Sequence, residues 1–364
     1  MSRMSRICAG LGLALVASLT FAPPASAAYS DEPTGPTGWV PDGPVQAVVT
    51  SGARVFVGGE FSGGVAALDA RTGALLWRGD ADAGVRALAV SSDGTHLIVG
   101  GSFTSMGGAT HRKLASLQVA DGTVEPRWRA GATGAVRDIV VRGDVAYFGG
   151  FFKKHDGLEQ RSLGAVLVST GKAVPAFDAQ TDGTVYALDL LGDRLIVGGR
   201  FTTVDGQPRA TLASVSLTSN SLDAWAPSTA CDRCTLQWDV LADAGAVYTA
   251  GRNAAAVTAY DPVTGARRWR VTANGDAQAL TMSDGLLYAG GHFVEIGSPR
   301  QPRTILAALN PATGALDPDF RPRFVGTWPG IWALDSTSER LYVGGHFTTA
   351  GSVAKKYPYF AMFE

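Results

Sequence analysis

Two aspartates sit at matching places in separate apolar runs: Asp138 in Val136-Arg137-Asp138-Ile139 and Asp239 in Gln237-Trp238-Asp239-Val240. Two carboxylates facing one sugar can serve as acid and as nucleophile or base in glycoside cleavage. Asp138 and Asp239 are therefore candidate catalytic residues. The competing expectation is that each accepts hydrogen bonds from nearby backbone or an arginine. Glu60, His292 and His346 form a second set, at the third position of a recurring Gly-Gly-x-Phe pattern. Two imidazoles and a carboxylate can hold a divalent metal, so these three are candidate metal ligands if their side chains lean together. A third set is larger. Arg86, Arg137, Tyr186, Trp238, Gln278 and Trp332, together with Gln46, recur in the slot just ahead of the one that holds those aspartates. Guanidinium and indole side by side suit a sugar face, an anionic polymer or a protein hot spot. No Ser-His-Asp order with a nucleophile elbow, no phosphate-binding loop and no calcium loop appears.

The elements that place these residues are one unit written seven times. Gly-Gly pairs followed one residue later by Phe occur at Gly58-Gly59, Gly100-Gly101, Gly149-Gly150, Gly198-Gly199, Gly290-Gly291 and Gly344-Gly345, and Ala250-Gly251 is a degenerate copy. Each follows a short apolar run such as Leu195-Ile196-Val197. Another run precedes it, a third follows it, and a fourth ends in an aromatic: Trp77, Trp128, Phe177, Trp225, Trp269 or Phe320. The runs are β-branched and punctuated by Gly and Asp, and no helical period is sustained. Four-strand units at this spacing predict an all-β fold, a single seven-bladed β-propeller of four-stranded blades over residues 28–364. The last unit, ending Phe360-Ala361-Met362-Phe363-Glu364, lacks its fourth strand, while Thr34-Gly35 and Trp39 have the spacing of Thr72-Gly73 and Trp77. The N-terminal strand is thus expected to complete the seventh blade, with Trp39 as its outer aromatic.

Asp69-Ala-Arg-Thr72-Gly73-Ala-Leu-Leu-Trp77 and Asp261-Pro-Val-Thr264-Gly265-Ala-Arg-Arg-Trp269 resemble the tryptophan-docking motif of quinoprotein-like propellers. The Gly-Gly-x-Phe-Thr pattern with a later Gly-x-x-Arg, as in Gly206-Gln-Pro-Arg209, is similar to the delta-60-type repeat of secreted actinobacterial propellers. The resemblance spans nearly all of the chain after residue 27 and implies an extracellular propeller of a family whose biochemical role is mostly unassigned. It carries over no quinone cofactor, and no cofactor is expected.

A residue present in every unit is explained by the unit. The first-strand slot Gln46, Arg86, Arg137, Tyr186, Trp238, Gln278, Trp332 is the place where chemistry varies, and it follows the loop that in a propeller rims the central channel. Two of those loops are long: Trp225 to Trp238 is thirteen residues and Phe320 to Trp332 is twelve, against seven or nine elsewhere. The first holds Cys231 and Cys234, the second Trp328 and Pro329. The loop from Gly251 to Val257 is short, which predicts a groove over blades five to seven. Trp238, Trp328, Trp332, Arg86, Arg137, Tyr186 and Gln278 are the candidate ligand-binding residues.

Residues 1–27 carry Arg3 and Arg6, an apolar run from Ile7 to Ala22 and the small-residue end Ala25-Ser26-Ala27. This is the pattern of a secretory signal, with cleavage expected after Ala27. No other stretch is long enough to cross a membrane as a helix. In an oxidising compartment Cys231 and Cys234 would close a small disulfide, with a redox pair or free thiols as the other readings. The chain has 31 Lys and Arg against 32 Asp and Glu, which lacks the concentrated basic face that nucleic acid demands. The expectation is a secreted, monomeric binding module for an extracellular glycan or protein. A carbohydrate-active hydrolase or lyase and a structural cell-envelope protein are the alternatives.

Overall fold

The computed structural model describes residues 29–228, 236–252, 256–351 and 357–364. The signal-like residues 1–27 and the pair Cys231 and Cys234 lie outside them. The fold is a seven-bladed β-propeller. Its innermost strands, here called strand a of blades one to seven, are Val45–Ser51, Val85–Val90, Val136–Arg142, Thr184–Leu191, Gln237–Ala242, Asp276–Ser283 and Gly330–Ser336. Successive strands a neighbour one another around a ring, and that of blade seven returns to blade one. Each pairs antiparallel with a strand b carrying the Gly-Gly pair (Ala250-Gly251 in blade five), such as Arg54–Gly59, which pairs with a strand c such as Val65–Asp69.

Strand d is long where nothing interrupts it, as in Leu75–Arg78 and Arg267–Ala273. In blades two, three and six it shrinks to single bridges, Leu117 with Val124, Val166 with Ala173 and Leu309 with Leu316. Pro126, Pro175 and Pro318 follow those bridges within two residues. A proline has no N–H to donate, so the ladder cannot extend past it.

The core lies between blades. Phe56, Val65 and Trp77 of blade one pack against Val85, Leu97 and Phe103 of blade two. Outer tryptophans pin four blades to the next: the indole of Trp77 donates to the Val119 carbonyl at 3.0 Å, Trp128 to Val168 at 2.8 Å, Trp225 to Asp261 at 3.1 Å and Trp269 to Pro311 at 2.9 Å. The Gly-Gly pair is required by close approach. A Cβ on Gly58 would meet Val85 of the next blade at 2.6 Å, and one on Gly59 would meet the Pro44 carbonyl at 2.1 Å. The arginines after the b–c loops act as braces, with Arg209 donating to the Asp223 carbonyl and Arg303 to that of Asp317.

The N-terminal strand Pro33–Gly35 pairs antiparallel with Phe360–Phe363 and closes blade seven. Trp39 does not take the docking position. It packs edge-on against Phe61, and the blade-one carbonyl equivalent to that of Val119, on Ala70, accepts instead from the hydroxyl of Tyr342 at 2.8 Å. The N-terminal strand stops at Gly35, four residues short of Trp39, so the indole is not presented at the blade edge.

Candidate functional site

A β-bulge interrupts strand a of every blade at the same point. In blade two Val85 pairs with Gly101 and Ala87 with Gly100, which leaves Arg86 extra. The same shift frees Gln46, Arg137, Tyr186, Trp238, Gln278 and Trp332. An extra residue in one strand turns its side chain out of the ladder. Here all seven turn inward and together line one cavity of about 270 Å³ at the channel mouth. The variable slot of the sequence is therefore a ring of half-buried bulge residues, flanked by buried residues except where Asp138 and Asp239 follow Arg137 and Trp238. Gln46, absent from the candidate ligand-binding residues, belongs to it.

The ring has two chemical sides. On one, Arg86 donates to Glu60 at 2.9 Å and to Ser102 at 3.3 Å, and Gln46 donates to the same Glu60 oxygen at 3.2 Å. The Arg137 guanidinium lies over the Tyr186 ring, 5.6 Å from its centroid. The other side is aromatic. Tyr186 meets Trp238 edge-on at 4.9 Å, and the Trp238 indole donates to Asp276 at 3.3 Å. Trp332 stacks on His346, which stacks on Tyr359, each pair about 6 Å apart.

The third positions of the Gly-Gly-x-Phe patterns thus support the ring, and Glu60, His292 and His346 do not assemble into a metal site. Glu60 is held by Arg86, His346 lies against Trp332, and His292 is stacked on Trp328 at 6.1 Å. Among the described residues no three His, Cys, Asp or Glu side chains gather closely enough to hold a metal. Trp328 also parts from the other candidates. It is 77% exposed and lines a separate apolar cavity with His292, Phe293, Val294 and Pro329. The insertion before Trp238 and the short b–c loop of blade five fall partly in 229–235 and 253–255, so the groove expected over blades five to seven lies partly outside the described residues.

Below the ring the channel continues as a space of about 340 Å³. Asp138 and Asp239 lie here, and neither is a free acid. Asp138 accepts from the amides of Ile139 and, one blade on, Leu188, at 2.8 and 2.6 Å. Asp239 accepts from Val240 and Leu280 at 2.8 and 2.7 Å. Asp189 and Asp335 do the same one level deeper, Asp189 reaching Ala242 and Asp335 reaching Thr50. Each aspartate ties its strand a to that of the next blade. Thr281 and Ser336 join blades six and seven at the corresponding level through their hydroxyls, 3.0 Å apart. Asp189 and Asp335 stand two residues beyond the Asp138 slot, on the same strand face, so the period of two was the signal that could have revealed them.

Each of these carboxylates has surface only toward the channel and is otherwise enclosed by protein. Burial pushes Asp239 up to about 7 and Asp189 up to about 6, against the favourable pull of the amides, and it raises Asp138 and Asp335 too. The native state then takes up protons at a pH where the unfolded chain, titrating near 4, does not. Their contribution to stability is full below about pH 4 and is lost as pH rises through 6 to 7. Exposed loop aspartates Asp82 and Asp93, held at about 2 mainly by hydroxyls of Thr104 and Ser91, work oppositely and lose their contribution only in strong acid. Buried His111, whose desolvation lowers its pKa, partly offsets the rise below neutrality. The melting temperature followed from pH 8 to pH 3 is expected to peak between about pH 4 and 6. Asp239→Ala should leave two amides without an acceptor, cost about 2–4 kcal/mol and flatten the acid-side rise. A profile identical to the parent's would refute the inter-blade tie.

No family model and no curated protein matches the sequence. The likeness is to solved structures. The WD40 β-propeller domain of Doa1 superposes with a TM-score of 0.63 at 11% identity, over 92% of this chain and 96% of that one. RRP9 WD40 repeats give 0.63 at 13% identity, over 92% and 97%, and U3-55K gives 0.63 at 13%, over 88% and 95%. At such identity the likeness speaks for the fold alone. Among the described residues no helix is long and apolar enough to cross a membrane.

Proposed function

We propose that the protein is a secreted, monomeric binding module whose extracellular ligand, a glycan or a protein segment, seats in the channel mouth. The observation that carries this reading is the bulge ring. One backbone device repeats in every blade, while the side chains it presents differ and converge on one cavity. Concave sites with aromatic walls and a few polar groups are where ligands bind. The N-terminal signal pattern and the resemblance to secreted delta-60-type, tryptophan-docking propellers support an extracellular setting, in which Cys231 and Cys234 would close a disulfide. A glycan-active enzyme draws little support from Asp138 and Asp239, because their oxygens already accept backbone amides. A structural cell-envelope role is the reading left if nothing binds.

The test is a glycan array on the purified protein, followed by titration of each hit against Trp238→Ala and Trp332→Ala. Both indoles are half-buried at the cavity wall. Losing a ring that stacks on ligand costs roughly 2 kcal/mol or more, over tenfold in Kd. Weakening by tenfold with an unchanged melt is the expected outcome. Two unfolded variants would make the indoles channel plugs. Two folded variants with parental affinity would place the site elsewhere.

A further inference from the structure

Arg137 differs from the other charged groups at the mouth. Arg86, in the next slot of the ring, is paired with Glu60 at 2.9 Å. Among the described residues Arg137 has no carboxylate within ion-pair distance, and its buried Nε has no hydrogen-bond partner. Its one specific contact is the face of Tyr186. Burial, then the like charge of Arg86, disfavours its cationic form, while Tyr186 and Glu60 favour it. A guanidinium cannot be deprotonated in ordinary conditions, so the rim keeps a positive charge that no described carboxylate pairs directly. A planar fork of N–H donors in that state matches a carboxylate, which it can bind through two parallel hydrogen bonds.

Resting on the reading of the mouth as a ligand site, we propose that it takes a sugar ring bearing a carboxylate, the hexuronate end of an acidic glycan, with the carboxylate on Arg137 and the ring against Trp238. The aromatic side of the cavity begins where the cationic side ends, since Tyr186 touches both Arg137 and Trp238. A ligand spanning them therefore needs its charge and its flat face on adjoining positions of one ring. The cavity of about 270 Å³ has room for one such ring at the mouth, which suits a chain end. Asp138 and Asp239 face the same channel below, with their oxygens turned to amides, so the anion belongs at the rim beside Arg137.

Calorimetric titration of the purified protein with glucuronate and with its methyl ester, which keeps the shape and removes the charge, tests this. Glucuronate is expected to bind at least tenfold more tightly than the ester, a gap that narrows with added salt. Arg137→Gln should bring the two to equal affinity with an unchanged melt, and Arg137→Lys should restore part of the gap. Equal binding of acid and ester to the parent protein, no binding of either, or an Arg137→Gln variant that keeps the gap would each overturn the proposal. A neutral glycan that binds in a Trp238-dependent manner would leave the channel-mouth site standing while the acidic-sugar assignment falls. Glycan binding indifferent to Trp238→Ala would remove both.

Discussion

Deletion of residues 29–42 is expected to destabilise the protein by about 5 kcal/mol or more, because the segment closes the ring in three ways. Its strand Pro33–Gly35 pairs with Phe360–Phe363. Tyr29, 6% exposed, packs 5.3 Å from Tyr288, and its hydroxyl hydrogen-bonds Ser283 and the Thr337 carbonyl, linking blades six and seven. The Thr37 amide donates to the Thr72 carbonyl of blade one at 2.9 Å. Without the segment, the edge of Phe360–Phe363 is open, and open edges recruit other chains. Thermal or urea unfolding of the truncated protein, with light scattering for aggregation, gives the readout. A melt equal to that of the full protein would show that closure does not depend on this strand.

Trp77→Ala is expected to cost about 3–5 kcal/mol, the usual range for truncating a buried tryptophan. The indole is 8% exposed, lies 5.8 Å from Phe56 and donates to the Val119 carbonyl. The loop of blade two is shaped to it: a Cβ on Gly122 would come within 2.6 Å of the ring. The residue sits at the outer edge of blade one, far from the bulge ring, so affinity at the channel mouth should not change. A loss under about 1 kcal/mol, or a loss of ligand binding in the folded variant, would contradict the docking role.

The blade count, the strand order within a blade and the closure by the N-terminal strand were legible because they follow from repetition. A unit that recurs states its own period, and Gly-Gly recurs where no Cβ fits against the next blade. The ring at the mouth was legible for the complementary reason: Gln46 through Trp332 change in chemistry at a slot whose neighbours are mostly small or aliphatic. What the repeat could not convey is how positions on different blades meet. Trp39 has the spacing of a docking tryptophan, yet Tyr342, far away in sequence, holds the Ala70 carbonyl instead. Glu60, His292 and His346 share one position in the unit, yet each is taken by a different partner. Trp328 and Trp332 are near in sequence but line different cavities.

The sequence by itself determined the propeller, since hydrophobic alternation, turn residues and glycine placement are local and each is repeated. Only the tertiary structure decided the roles of the channel aspartates and the charge balance of the mouth. Whether a carboxylate is free or clamped depends on an amide some fifty residues away, as with Asp138 and Leu188. Whether an arginine is paired depends on what the adjacent blade presents. Glu60 of blade one reaches Arg86 and leaves Arg137 with no described carboxylate paired directly to it. Those are contacts set by the curvature of the closed ring, and no spacing along the chain encodes them.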